Sequence, residues 1–175
     1  MQKLTSSIYT FEKLIRNDFL YVDKTEYIWR LISEAPASFF MSRPRRFGKS
    51  LTVSTLKAVF QGRKDLFKGL AIDDKGYNWK AYPVIHLDMA NCNAKNAGEL
   101  ENFLSDTLSG LADGCGMKMR GQSNAMRFEF LIRDVVAAAD SPVVILLDEY
   151  DKPILNTLTT PEAKACRDVL KGFYS

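Results

Sequence analysis

Histidine is almost absent from this 175-residue chain, where His86 stands alone. A catalytic triad or a histidine-rich metal centre therefore has almost nothing to work with. Cysteine is nearly as scarce. Cys92, Cys115 and Cys166 are odd in number, widely spaced and without any Cys-x-x-Cys pairing. Neither a disulfide framework nor a zinc site is expected from them, and three buried or partly buried thiols are. No apolar run approaches the roughly 18 residues needed to span a bilayer. The start, Met1-Gln2-Lys3-Leu4-Thr5, leads into Phe11 to Arg16, which is amphipathic rather than a secretory core. One-sided charge is missing too: 24 Lys and Arg against 21 Asp and Glu leave a net +3, too little to demand a nucleic-acid partner. These absences make a cytoplasmic protein with no membrane partner the default expectation.

What is present is ordinary for a globular domain: 46% of residues are hydrophobic and 26% charged. The length suits one domain, residues 1–175, with a real core. Asp23 and Glu26 read as a capping box opening a helix with Ile28, Leu31, Ile32 and Ala35 on its apolar face, stopped by Pro36. Ser38 to Met41 suits a buried strand, followed by a basic turn and a helix from about Lys49 to Phe60. Residues 61–82 show no period and read as loop with short helical pieces. Pro83 to Asp88 is a second strand, with Pro83 at the tolerated first position. Asn96 and Glu99 form another capping box, ahead of the stripe Leu100, Phe103, Leu104, Leu108 and Leu111. Gly110 to Gly121 reads as loop, and a further helix spans about Ala125 to Ala139. Val143 to Leu147 is a continuous apolar strand of the kind buried on both faces of a parallel sheet. Thr160-Pro161-Glu162 opens a last helix.

Strands alternating with helices predict an α/β fold with a mainly parallel sheet. A nucleotide-binding sheet usually needs more strands than the three visible here. Either the sheet edge is covered in some unusual way, or this is the front part of a longer protein.

The strongest local signal is strand, turn, Gly48-Lys49-Ser50, helix. The phosphate-loop pattern is G-x-x-x-x-G-K-[ST], in which backbone N–H groups and a helix N-terminus wrap the phosphates. Lys49 would neutralise the β- and γ-phosphates, the Ser50 hydroxyl would ligate magnesium, and Gly48 would let the backbone approach closely. The first glycine of the pattern is replaced by Arg43. Arg43, Arg45, Arg46 and Lys49 crowd positive charge at a helix N-terminus, which is unfavourable without an anion. A DNA-binding basic patch is the alternative, although Phe47 is the only aromatic among them.

The second signal is the strand that ends in Asp148-Glu149. A carboxylate at the C-terminal end of a parallel strand sits where α/β ligands bind. Asp148 would help hold Mg²⁺ and Glu149 would activate water; a polar turn or helix cap is the plain alternative. Asp88 ends the other strand in the same way and is read as a turn residue.

Together these residues resemble the AAA-ATPase-like proteins of bacteria, within the wider P-loop ATPase superfamily. The resemblance is carried by Tyr21-Val22-Asp23-Lys24-Thr25, Arg43-Pro44-Arg45-Arg46-Phe47-Gly48-Lys49-Ser50-Leu51, Pro83 to Asp88, and Asp148-Glu149-Tyr150-Asp151-Lys152-Pro153. In that family an arginine replaces the first loop glycine, so Arg43 fits. The resemblance implies a P-loop NTPase three-layer sandwich, incomplete at the C-terminus, with ATP as ligand and Mg²⁺ as cofactor. It assigns nucleotide contacts to Arg45, Arg46, Phe47, Gly48, Lys49, Ser50 and Leu51, metal contacts to Ser50 and Asp148, and catalysis to Lys49 and Glu149. Such proteins continue into further core strands and a PD-(D/E)XK nuclease-like domain, and assembly into a homo-oligomer is left open. A nucleotide-binding regulatory switch without significant turnover is the alternative to an ATPase.

Overall fold

The computed structural model describes residues 3–5, 8, 10–33, 38–42, 44 and 47–174. The chain forms two packing units, Met1–Tyr82 and Pro83–Ser175, each around its own core.

The first unit is helical. Its helices are α1 (Phe11–Arg16), α2 (Thr25–Ser33) and α3 (Lys49–Phe60), the last with the bounds expected from sequence. Phe11, Val59, Phe67 and Ile72 are fully buried at the centre. The Phe11 ring lies 4.7 Å from Phe67 and 5.0 Å from Tyr21, at tilted and edge-on angles that favour aromatic contact. At six residues α1 is too short to persist alone. Its first amide is capped from α3: the Phe11 N–H donates to Ser54 Oγ at 2.9 Å, and Ser54 donates onward to the Leu51 carbonyl. After α3 the chain turns at Gly62, where φ is +70° and an added Cβ would lie 2.8 Å from the Trp79 carbonyl oxygen. A single 3-10 turn, Lys64–Phe67, and irregular turns follow, as the absence of period suggested.

The residues read as a capping box at Asp23 and Glu26 act differently. Asp23 Oδ1 accepts from the Thr25 amide and hydroxyl, and Oδ2 accepts from the Ala71 amide at 2.7 Å. Thr25 Oγ then accepts from the Ile72 amide. Glu26 pairs with Arg30 instead. The Asp23–Thr25 pair thus fastens the 71–72 turn to the start of α2. Ala35 and Pro36 lie outside the described residues.

The second unit is layered. β1 (Val84–Asp88) and β2 (Val144–Asp148) pair in parallel, from Val84 opposite Val144 to Asp88 opposite Asp148. Parallel neighbours need a long crossover, and α4 (Ala97–Gly114) and α5 (Asn124–Ala139) supply it. Leu100, Leu104, Leu108 and Ala112 recur every fourth residue and bury one stripe of α4 in the core that holds Ile85 and Leu87. The short α6 (Lys152–Leu155) and the terminal α7 (Ala163–Tyr174) complete the unit, with Phe173 stacked on Phe128 at 5.2 Å. Of the Asn96–Glu99 box, the first half is formed: Asn96 Oδ1 accepts from the Glu99 amide, while Glu99 accepts from the amide of Lys95 rather than from that of Asn96.

Three expectations are corrected. Residues 38–42 form no strand, and Phe39 and Phe40 are 51% and 73% exposed. The apolar composition gives that segment strand propensity, but no neighbour among the described residues takes up its backbone groups in a ladder. The sheet of the described residues is therefore an open parallel pair, and the fold is mixed helix and strand, compatible with α/β. The loop expected from Gly110 is helical through Gly114, with Leu108 and Ala112 continuing the buried stripe of α4 past Gly110. Cys115 is exposed, whereas Cys92 and Cys166 are buried and all three are free thiols. Among the described residues no helix is long and apolar enough to cross a membrane.

Candidate functional site

The glycine-lysine-serine turn is built in the first unit. Gly48 is the N-cap of α3 and holds φ +79° and ψ 23°, the left-handed region that favours glycine. Among the described residues a Cβ there would meet no atom within 4 Å. The requirement for glycine is thus in the backbone angle, not in the crowding by protein atoms that close approach would produce. Glycine offers no side chain to cap the helix, and the first turn of α3 contains no acidic residue. The Gly48 carbonyl accepts both the amide and the hydroxyl of Thr52, each at 2.9 Å, which locks this first turn. Lys49 therefore adds a cation to the positive end of a helix dipole, an arrangement that an anion would relieve. Ser50 and Leu51 follow, half-buried. Phe47 is 65% exposed, its amide donating to the Pro44 carbonyl at 3.3 Å. Arg43, Arg45 and Arg46 lie outside the described residues.

The acidic group is built in the second unit, at the carboxyl end of the sheet. Asp148 is the last residue of β2 and only 6% exposed. Its carbonyl accepts from the Met89 amide at 3.0 Å, and its Oδ1 accepts from the Glu149 amide at 3.0 Å. That second bond bends the chain sharply out of the strand. Glu149 takes φ +51°, a left-handed conformation that costs a residue with a Cβ about 1 kcal/mol. The Glu149 carbonyl accepts from the Lys152 amide at 2.9 Å, closing the turn into α6. Asp88 stands opposite Asp148 in register, and its Oδ1 accepts from the Ala90 amide at 2.8 Å, the turn role expected of it. Asp151 has one carboxylate oxygen buried without a hydrogen-bond partner.

The structure thus brings Gly48, Lys49, Ser50 and Leu51 to one helix start, and Asp148, Glu149 and Asp151 to one strand end, each within its own unit. Among the described residues no group of three or more His, Cys, Asp or Glu is placed to hold a metal. A protein cage of the calcium type is therefore not what these residues offer.

Comparison with known proteins adds the family. An uncharacterized protein in the vnfD 5′ region of Azotobacter chroococcum mcd 1 is 40% identical over 177 residues, covering 99% of this chain and 34% of that protein. The chain therefore spans about a third of that relative's length. No solved structure matches. A family model described as a predicted AAA-ATPase matches residues 6–175, taking in both the turn at Gly48 and the strand that ends in Asp148. The chain belongs to the AAA-ATPase-like family.

Proposed function

We propose that this chain binds Mg-ATP and that the longer protein hydrolyses it. The observation that carries the proposal is the start of α3: a left-handed glycine, no capping side chain, no acid in the first turn, and a lysine adding charge to the helix dipole. A helix start of this kind favours a bound phosphate. In this reading the amides of Gly48, Lys49, Ser50 and Leu51 cradle the phosphates, together with Arg45, Arg46 and Phe47, which precede them in sequence. The Lys49 ammonium neutralises the β- and γ-oxygens and supports catalysis. Ser50 Oγ and the Asp148 carboxylate are each proposed as magnesium ligands, and magnesium would offset the charge that develops on the transferred phosphoryl group.

Glu149 is proposed as the general base that orients and deprotonates the attacking water. Its left-handed backbone supports this role, since strain of that kind is retained where a side chain must be aimed. The finer architecture, a three-layer P-loop sandwich of which the parallel pair is one part, belongs to the same proposal. A nuclease-like domain and self-association are proposals for the longer protein and rest on family resemblance alone.

Lys49→Ala tests the reading. It removes a charge-assisted contact of about 2–3 kcal/mol and so should weaken Mg-ATP binding roughly 100-fold, read by calorimetry. Thermal stability should hold, because no core cavity opens. Unchanged affinity would overturn the phosphate-loop assignment, and binding without turnover in the full-length protein would identify a nucleotide switch.

A further inference from the structure

The second unit carries a groove of about 600 Å³, lined by none of the residues assigned to the nucleotide or the metal. One wall is α7. Lys164, Arg167, Lys171 and Tyr174 recur there at steps of three and four residues, so they form one stripe about 15 Å long. Cys166 and Phe173, on a neighbouring stripe, bury the helix in the core. The other wall is the turn after β2 together with α6, which supply Tyr150 and Ile154.

The charge of the groove is one-sided. Lys164, Arg167 and Lys171 line it against a single carboxylate, Asp168. Arg167 Nε donates to the Ala163 carbonyl at 3.2 Å, and among the described residues no carboxylate pairs with Lys164 or Arg167. Like charges three and four apart on one helix repel, and Asp168 offsets only part of that, so an anion in the groove is favoured. Flat rings stand beside the cations. Tyr150 and Tyr174 are 37% and 40% exposed. Tyr174 is braced edge-on by Phe173 at 5.0 Å, and Phe173 stacks on Phe128. Tyr150 rides on the turn closed between the Glu149 carbonyl and the Lys152 amide. Rings already held in place lose little freedom when a ligand stacks on them.

We infer that this groove binds a short single-stranded stretch of nucleic acid, with phosphates along the Lys164–Lys171 stripe and unpaired bases against Tyr150 and Tyr174. Cations that track a backbone beside aromatic platforms are the two parts of single-strand recognition, and every base has a face to stack. A duplex keeps its base faces stacked on one another, so it would use the cations and leave the tyrosines idle. An acidic peptide would do the same. DNA and RNA single strands share the chemistry used here. The inference is independent of the phosphate-loop reading, because the described residues that line the groove all belong to the second unit.

Fluorescence anisotropy of the full chain with labelled oligothymidylate and oligouridylate of about 12 nucleotides, without ATP, tests this. At least one should bind, and a preference between them assigns the groove to DNA or to RNA. Lys164→Ala with Arg167→Ala should lower affinity roughly tenfold at low salt and flatten the slope of log affinity against log salt by about 0.7 for each contact removed. Tyr150→Ala should lower it roughly tenfold, while Tyr150→Phe, which keeps the ring, stays within about twofold of wild type. Asp168→Asn removes the one negative charge of the lining and should raise affinity, a gain that a misfolded variant cannot produce. Failure of the wild type to bind either oligomer overturns the proposal. So does unchanged affinity in the Lys164, Arg167 double variant or in Tyr150→Ala, or Tyr150→Phe binding as weakly as Tyr150→Ala. Displacement of the oligomer by polyglutamate or by duplex DNA at equal charge concentration would also overturn it, because neither offers an unpaired base to the tyrosines.

Discussion

Glu149 and Asp151 leave the same strand two residues apart, in different circumstances. Glu149 follows the bend directly and holds a left-handed φ of +51°, whereas Asp151 has one carboxylate oxygen buried without a partner. A general base needs a carboxylate that water can reach, which favours Glu149; an orphan buried oxygen can serve a bound cation or water, which keeps Asp151 second. Glu149→Gln preserves size and hydrogen bonding but cannot accept the proton. Nucleotide affinity should survive, and single-turnover hydrolysis in the full-length protein should fall by about 100-fold or more. Asp151→Asn should cost much less. The reverse ranking would move the base to Asp151.

At the scale of elements, local signals were legible and distant ones were not. The start of α3 and the Asn96–Glu99 box show in the sequence because every partner lies within one turn of helix. The two strands are legible because their apolar runs end in aspartates that then stand opposite one another. Residues 38–42 defeat such reading, since a strand is defined by a partner that composition does not reveal. The site was legible as far as its residue types.

Asp23 shows the same limit and gives a test. Its amide partner at Ala71 is 48 residues away, out of reach of any capping pattern. Burial pushes the Asp23 carboxyl up, but the bonds from Ala71 and Thr25 outweigh burial and hold it below the ordinary aspartate value. The stabilisation is thus fully present above about pH 4, the ordinary aspartate range, and is lost as pH falls through the lowered folded value. Asp23→Ala should destabilise the protein at pH 7 by about 1 kcal/mol, the typical net worth of a hydrogen bond. The gap between wild type and variant should close in acid, measured by thermal unfolding at both pH values. The other lowered carboxyls, among them Glu12 and Asp65, are common to both proteins and cancel in the difference. A gap that persists in acid would show that Asp23 acts through packing rather than charge.

For the whole molecule, a net charge of +3 conceals the local concentration of Arg43, Arg45, Arg46 and Lys49. Two ligands could draw on that concentration, a nucleotide phosphate or the backbone of DNA, and they leave different signatures. If the arginines balance the phosphates of one bound nucleotide, Arg45→Ala with Arg46→Ala should weaken Mg-ATP binding roughly tenfold, and more at low salt than at high salt. If they serve DNA, Mg-ATP affinity should survive their loss, while DNA affinity falls with a salt slope shallower by about one for each phosphate contact removed. The nucleotide outcome is expected, because the cluster runs directly into a helix start that lacks both a capping side chain and an acidic first turn. DNA contacts of comparable strength would need cations spread along an extended surface, and a near-neutral chain has few to spare. Paired titrations of the double variant with Mg-ATP and with duplex DNA, each at two salt concentrations, decide between them. Normal Mg-ATP binding together with lost DNA binding would transfer the arginines to nucleic acid and leave Lys49 alone at the phosphate site.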